Sequence, residues 1–274
     1  MIIAKTLLDL RAARAACGPV GLVPTMGALH DGHLSLVAAA KATGKPVAVS
    51  IFVNPTQFGP NEDFAHYPRD AAGDLAKLKD AGCNLVWLPS TDIMYPPHSA
   101  TTIQVGGPSG LWEGASRPGH FSGVATAIAK LFCQVKPDAA YFGEKDWQQV
   151  QVVSRMVADL HLPVRIVSTP TIREPSGLAL SSRNAYLTTE ERKTAPLLYA
   201  TLLHTAQKIS AGQKVDPALR IAHHKITGAG IMPDYIALVH ATTLEPISRL
   251  IQPARLIAAA QLGRVRLLDN LPVG

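Results

Sequence analysis

The 274-residue chain is poor in the features that mark several protein classes. It has only three cysteines, Cys17, Cys83 and Cys133, far apart and set among apolar neighbours. No CxxC or HExxH pattern offers a metal cage, so the thiols are expected to be buried and inert. The longest apolar runs, such as residues 256–260 (LIAAA), fall far short of the ~20 residues that cross a bilayer. There is no internal repeat and no low-complexity tract. The opening stretch MIIAKTLLDLRAARAA reaches Asp9 too early for a secretory leader, and reads as a strand followed by a helix. A cytoplasmic protein without membrane contact is the expectation. Nor is there a basic run of five: 26 Lys and Arg against 20 Asp and Glu give a net charge of +6, but the charges are scattered. Such scatter reads as solvated surface, and no nucleic-acid partner is expected.

What is present points to a compact fold, with 47% apolar and 17% charged residues. Short apolar runs at 20–23, 47–53, 85–88, 139–142 and 164–168 alternate with helix-like segments at 34–43, 70–81, 121–135 and 148–160. This alternation predicts an α/β domain, a doubly wound Rossmann-like parallel sheet, over residues 1–171. From 172 to 274 the texture changes to a smaller α+β domain. One long helix is predicted over 190–209, another over 215–226, and strands over 234–240 and 254–260.

In a doubly wound sheet, ligands bind beyond the carboxyl ends of the strands, where the next helix begins. PTMGALHDGHLSL, residues 24–36, occupies such a junction. Gly27 and Gly32 permit close backbone approach, and the helix N-terminus offers free N–H groups. His30 and His33, three apart, can hydrogen-bond phosphate oxygens from one side of the turn. The pattern is neither GxGxxG nor a P-loop, since Gly44-Lys45 is followed by Pro46. FVNPTQF, 52–58, ends the apolar strand at 47–53 with the amides of Asn54 and Gln57 and the apolar wall of Phe58.

HDGH resembles the HIGH-type motif of the adenylyl-transferring superfamily. PTMGALHDGH, FVNPTQFGPNEDFAHYPRD, RPGHFSGV, YFGEKDWQQ and REPSGLALSSRNAYL, in that order, are similar to one family in it, the pantothenate synthetases (pantoate–β-alanine ligases). The likeness runs from about residue 20 to 192 and is looser over the last eighty. It implies ATP-dependent condensation of (R)-pantoate with β-alanine, through pantoyl adenylate, to pantothenate, AMP and pyrophosphate. It assigns ATP contacts to Met26, Gly27, Ala28, Leu29, His30, Asp31, Gly32 and His33, to Gly143, Glu144, Lys145 and Asp146, and to Ile172, Leu180, Ser181, Ser182 and Arg183. His33, His30, Lys145 and Arg183 would carry the chemistry, and Gln57, Gln149 and Asn54 would hold pantoate and β-alanine. Residues 180–184 (LSSRN) stand in the place of a KMSKS-like loop, and Gly177 and Ser176 suit a loop that closes over ATP. Tyr67, Arg69 and residues 117–120 are expected around the substrate pocket. Mg2+ is expected on the ATP phosphates, with Asp74 reaching it through water. A homodimer is implied. The chain departs from the family pattern at Trp147, Leu180, Ser176 and His240.

Two other readings compete. A nucleotidyltransferase acting on a phosphorylated alcohol would ask for more Arg or Lys where Gln57 and Gln149 stand. A noncatalytic RNA-binding protein leaves the histidine pair and the amides without a purpose, and a tRNA synthetase would need room for an anticodon-reading module.

Overall fold

The computed structural model describes residues 1–60 and 62–274. Its contacts divide the chain into two compact units. One comprises Met1–Gly143 and Gln149–Pro170; the other comprises Glu144–Gln148 and Thr171–Gly274. The division assigns residues 144–148 to the second unit, a detail that a single boundary near 171 does not express.

The first unit contains, in chain order, β1 (Ile2–Ala4), α1 (Leu7–Cys17), β2 (Gly21–Thr25), α2 (Asp31–Lys41), β3 (Val47–Ile51), α3 (Ala71–Asp80), β4 (Leu85–Trp87), the short α4 (Thr91–Met94) and α5 (Glu113–Ser116), α6 (His120–Val135) and β5 (Ala139–Gly143). It closes with α7 (Trp147–Asp159), whose first two residues the division gives to the second unit, and β6 (Arg165–Thr169). All six strands are parallel, in the order β1-β4-β3-β2-β5-β6. The central strands read as unbroken apolar runs because both their faces are covered: Val47, Ala48 and Val49 of β3 are fully buried. On one face of the sheet, Val47 and Val49 share a cluster with Val23, Leu36, Val37, Leu78, Val86 and Tyr141. Each such aliphatic side chain contributes about 1.5–3 kcal/mol by leaving water.

The topology locates the site. From β2 the chain moves to β3 on one side, whereas from β5 it moves to β6 on the other, and β2 and β5 pair directly, Gly21 with Ala139. Their adjacent carboxyl ends form the switch point of the sheet, the place where ligands bind in open α/β sheets.

The second unit holds α8 (Thr189–Thr194), α9 (Leu197–Ser210), α10 (Val215–Thr227) and an antiparallel sheet of β7 (Met232–His240), β8 (Ala254–Leu262) and β9 (Val265–Val273). The predicted helix over 190–209 is two helices, because Pro196 has no amide hydrogen to continue α8 and instead starts α9. The third strand, β9, has no counterpart among the predicted strands. Its alternation breaks at Asp269 and Asn270, both buried despite pointing from consecutive positions. Cys83 is buried, as expected, but Cys17 is only half-buried and Cys133 is exposed, facing away from the buried side of α6.

Candidate active site

Beyond Thr25 the chain turns through two consecutive left-handed residues, Gly27 (φ 84°) and Ala28 (φ 51°), before α2 begins. His30 caps that helix, its Nδ1 accepting the amide of Gly32 at 3.1 Å, while the Nδ1 of His33 accepts the amide of His30 at 3.4 Å. An imidazole nitrogen that accepts from an N–H carries a lone pair, so in the neutral rings the hydrogen sits on Nε2. The rings lie 4.2 Å apart and tilted by 41°. Two Nε2–H donors are thus fixed beside the partial positive charge of a helix N-terminus, a setting suited to phosphate oxygens. Asp31 is exposed on the first turn. The amides of Ala28 and Leu29 are both spent on the carboxylate of Asp74, at 2.8 and 2.7 Å. Asp74 is 1% exposed, and each of its two oxygens accepts from the loop's backbone. Among the described residues no three His, Cys, Asp or Glu side chains gather as a metal cage would require.

At the end of β3, Asn54 is buried and both hydrogens of its amide are in use, donated to Gln57 Oε1 at 3.0 Å and to the Gly123 carbonyl at 3.1 Å. Its Oδ1 accepts from the hydroxyls of Tyr95, at 2.8 Å, and Thr56, at 2.9 Å. Burial raises the pKa of Tyr95 above the ordinary phenol value, so the ring stays a donor. Here Asn54 orients Gln57, whose Nε2 lies 3.0 Å from the sulfur of Met26 in the β2 loop. The approach needs a glycine at 123, since a Cβ there would stand 2.3 Å from the Thr56 carbonyl oxygen. Behind Gln57, His120 Nδ1 lies 2.8 Å from the Gln57 carbonyl and its Nε2 lies 3.1 Å from Arg117 Nη1. A guanidinium only donates, so Nε2 accepts, Nδ1 donates and the ring is neutral. Burial first, and then the adjacent Arg117, push the His120 pKa down to about 4. Arg117 in turn pairs with Glu62 at 2.6 Å. Phe58 packs with Phe64 and Tyr67 as an aromatic wall. Arg69 donates to the Phe64 and Tyr67 carbonyls and so supports that wall from its own loop. Gln149 lies half-buried in the first turn of α7.

In the second unit, the segment 144–148 is clamped by the C-terminal sheet. Asn270 Nδ2 donates to the carbonyls of both Glu144, at 2.9 Å, and Lys145, at 2.8 Å. Arg255 ion-pairs with Glu144 at 2.6 Å and stacks over Trp147 at 3.7 Å, and the Trp147 indole donates to the Ala241 carbonyl. Burial draws Arg255 below the ordinary guanidinium range, and Glu144 pulls it back. The carboxylate of Glu144 is thereby held by Arg255, while Asp146 is half exposed and 3.6 Å from Lys145. Lys145, Ser181 and Arg183 line one concavity together with Tyr199 and Asp269. The loop to Ser181 is anchored by Arg173, which makes a bidentate pair with Asp269 at 2.6 and 2.7 Å and stacks on Tyr199 at 3.5 Å. Ile172 is at the surface and its carbonyl accepts from the amide of Leu180 at 2.9 Å; Ser182 and Leu180 are half-buried. His240, at a departure from the family pattern, accepts the amides of Thr242 and Thr243 and caps the turn after β7.

Sequence reasoning did not reach the supporting residues Tyr95, Arg173, Arg255, Asp269 and Asn270. For the last two there was a signal, a polar pair inside the apolar strand LLDNLPV.

An open parallel sheet whose switch point carries a histidine-capped helix defines a nucleotide-binding α/β protein. The model of the pantoate-beta-alanine ligase family matches residues 2–272, and the chain belongs to that family. A pantothenate synthetase of Acidiphilium cryptum is 55% identical over 278 residues, covering 100% of both chains. The crystal structure of the Thermus thermophilus enzyme superposes with a TM-score of 0.95 at 50% identity, over 99% of each chain. The Francisella tularensis ligase, solved in complex with β-γ ATP and β-alanine, gives a TM-score of 0.84 at 36% identity, over 99% of this chain and 97% of that one. The family match therefore extends through the last eighty residues.

Proposed function

We propose that this pantoate–β-alanine ligase works in two steps through an acyl adenylate. A pantoate carboxylate oxygen attacks the α-phosphorus of ATP and pyrophosphate leaves. The β-alanine amine then attacks the acyl carbon, AMP leaves with that carboxylate oxygen, and the amine loses a proton. A carboxylate is a poor acyl donor at neutral pH, and AMP supplies the leaving group. The protein's share is positioning, which offsets on the order of 7–11 kcal/mol of barrier, together with stabilisation of phosphate charge.

The observation that carries this reading is the reciprocal capping of α2 by His30 and His33, which fixes two Nε2–H donors at the switch point. In this reading they bind the oxygens of the crowded phosphorus, with Met26, Gly27, Gly32 and Gly143 close to the nucleotide. Gln57 and Gln149 bind pantoate and then admit β-alanine; neutral amides suit a hydroxyl and a carboxylate that must later depart. Asn54 contributes by orienting Gln57. Lys145, Ser181, Ser182 and Arg183 hold the departing pyrophosphate, whose charge a mobile ammonium and a planar guanidinium compensate. Leu180 and Ile172 lie against adenine, and Asp146 against the ribose. Mg2+ enters with the triphosphate. The Francisella complex with β-γ ATP and β-alanine supports ATP and β-alanine as reactants here. A homodimer in the cytoplasm completes the reading.

Exchange of labelled pyrophosphate into ATP, dependent on pantoate and independent of β-alanine, tests it. Absence of exchange would refute the adenylate route.

A further inference from the structure

We propose that Asp74 is a positioning residue that sets the conformation of the ATP loop by acting as its permanent internal anion. This inference rests on the reading of residues 26–33 as the ATP loop. Successive backbone N–H groups around left-handed residues form a concavity that binds anions. Gly27 and Ala28 form one, and the anion in it is a side chain of α3: Oδ2 of Asp74 accepts from the Ala28 amide at 2.8 Å and Oδ1 from the Leu29 amide at 2.7 Å. Ala28 is held at a positive φ that residues with a Cβ seldom adopt. Gly27 is needed beside it, because a Cβ there would stand 2.9 Å from Asp74 Oδ2. One turn further along the same face of α3, Lys77 Nζ donates to the Leu29 carbonyl at 2.6 Å. The carboxylate and the ammonium thus grip consecutive peptide groups immediately before His30. The loop's own amides at 28 and 29 are closed to a phosphate, which is left to the histidines and to α2. Charge alone does not explain the fit: both oxygens must accept, so a neutral amide of the same shape would oppose one N–H with another.

The test is pantoate-dependent pyrophosphate exchange by wild type, Asp74→Ala and Asp74→Asn, with and without added formate, alongside thermal melting. A displaced loop is expected to slow exchange by about 100-fold in both variants. Formate, which offers two acceptor oxygens, is expected to restore Asp74→Ala by at least about tenfold and to leave Asp74→Asn, whose amide fills the space, unrestored. Exchange within about threefold of wild type in either variant overturns the proposal, as does a folded but slow Asp74→Ala that formate does not raise. If neither variant folds, Asp74 serves the fold rather than the loop, which also contradicts it. Wild type without exchange refutes the two-step reaction instead.

Discussion

His30 and His33 cap one helix reciprocally, each offering Nδ1 to a backbone amide of the same turn, with their rings 4.2 Å apart. The capping fixes the tautomer, and the tautomer fixes the chemistry, because each ring keeps its N–H on the far nitrogen. Stability and activity are therefore separable at these positions.

Asparagine is among the best N-cap residues and keeps a side-chain acceptor. His30→Asn should thus retain the melting temperature while losing the Nε2 donor, with exchange falling by about 10²–10³. His33→Ala should lose a similar factor in the first step and retain its fold. Full activity in a well-folded His33→Ala would contradict the role given to that imidazole.

Asn270 reaches two carbonyls at once, those of Glu144 and Lys145. Asn270→Ala leaves both without a donor and should cost about 1–3 kcal/mol in denaturant unfolding. Because Lys145 rides on that segment, the KM for ATP should rise as well. A variant with lowered stability and an unchanged KM for ATP would separate the clamp from the nucleotide.

His120 is neutral in the fold down to about pH 4, whereas an unfolded chain protonates its histidines near 6.5. Between these values the unfolded state binds the extra proton, so stability falls as the pH drops through that window. The contribution is complete above about 6.5 and amounts to at most about 3 kcal/mol. His120→Gln should flatten the stability profile between those limits. An unchanged slope, measured by urea unfolding at stepped pH, would show that the ring ionises normally.

Burial pushes the Cys83 thiol up to about 11, while Cys133 is exposed on α6. A thiol reagent at pH 8 should modify Cys133 in the native protein and reach Cys83 only on unfolding. Peptide mapping before and after denaturation reads this directly.

The parallel sheet was legible because strands covered on both faces must be continuously apolar, as VAVSI is, and because the intervening helices carry a 3.6-residue period. The paired histidines and glycines were legible for a related reason: their spacing matters only at a helix mouth. The break at Pro196 was missed by reading amphipathic period alone, although proline forbids the next helical hydrogen bond. Strand β9 was missed because Asp269 and Asn270 interrupt its pattern to satisfy Arg173 and the 144–145 backbone, partners distant in sequence. The family resemblance placed Asp74 near Mg2+ and was silent on its backbone partners. The oxygens of Asp74 face two amides some forty-five residues earlier, a partnership that exists only after folding.

The fate of one oxygen atom tests the central claim most directly. With pantoate labelled with 18O in both carboxylate oxygens, attack on the α-phosphorus carries a single label into AMP. Mass spectrometry of the products should find it there, with none in pyrophosphate. Unlabelled AMP, or label in inorganic phosphate, would mean that the carboxylate is activated at another phosphorus or not at all.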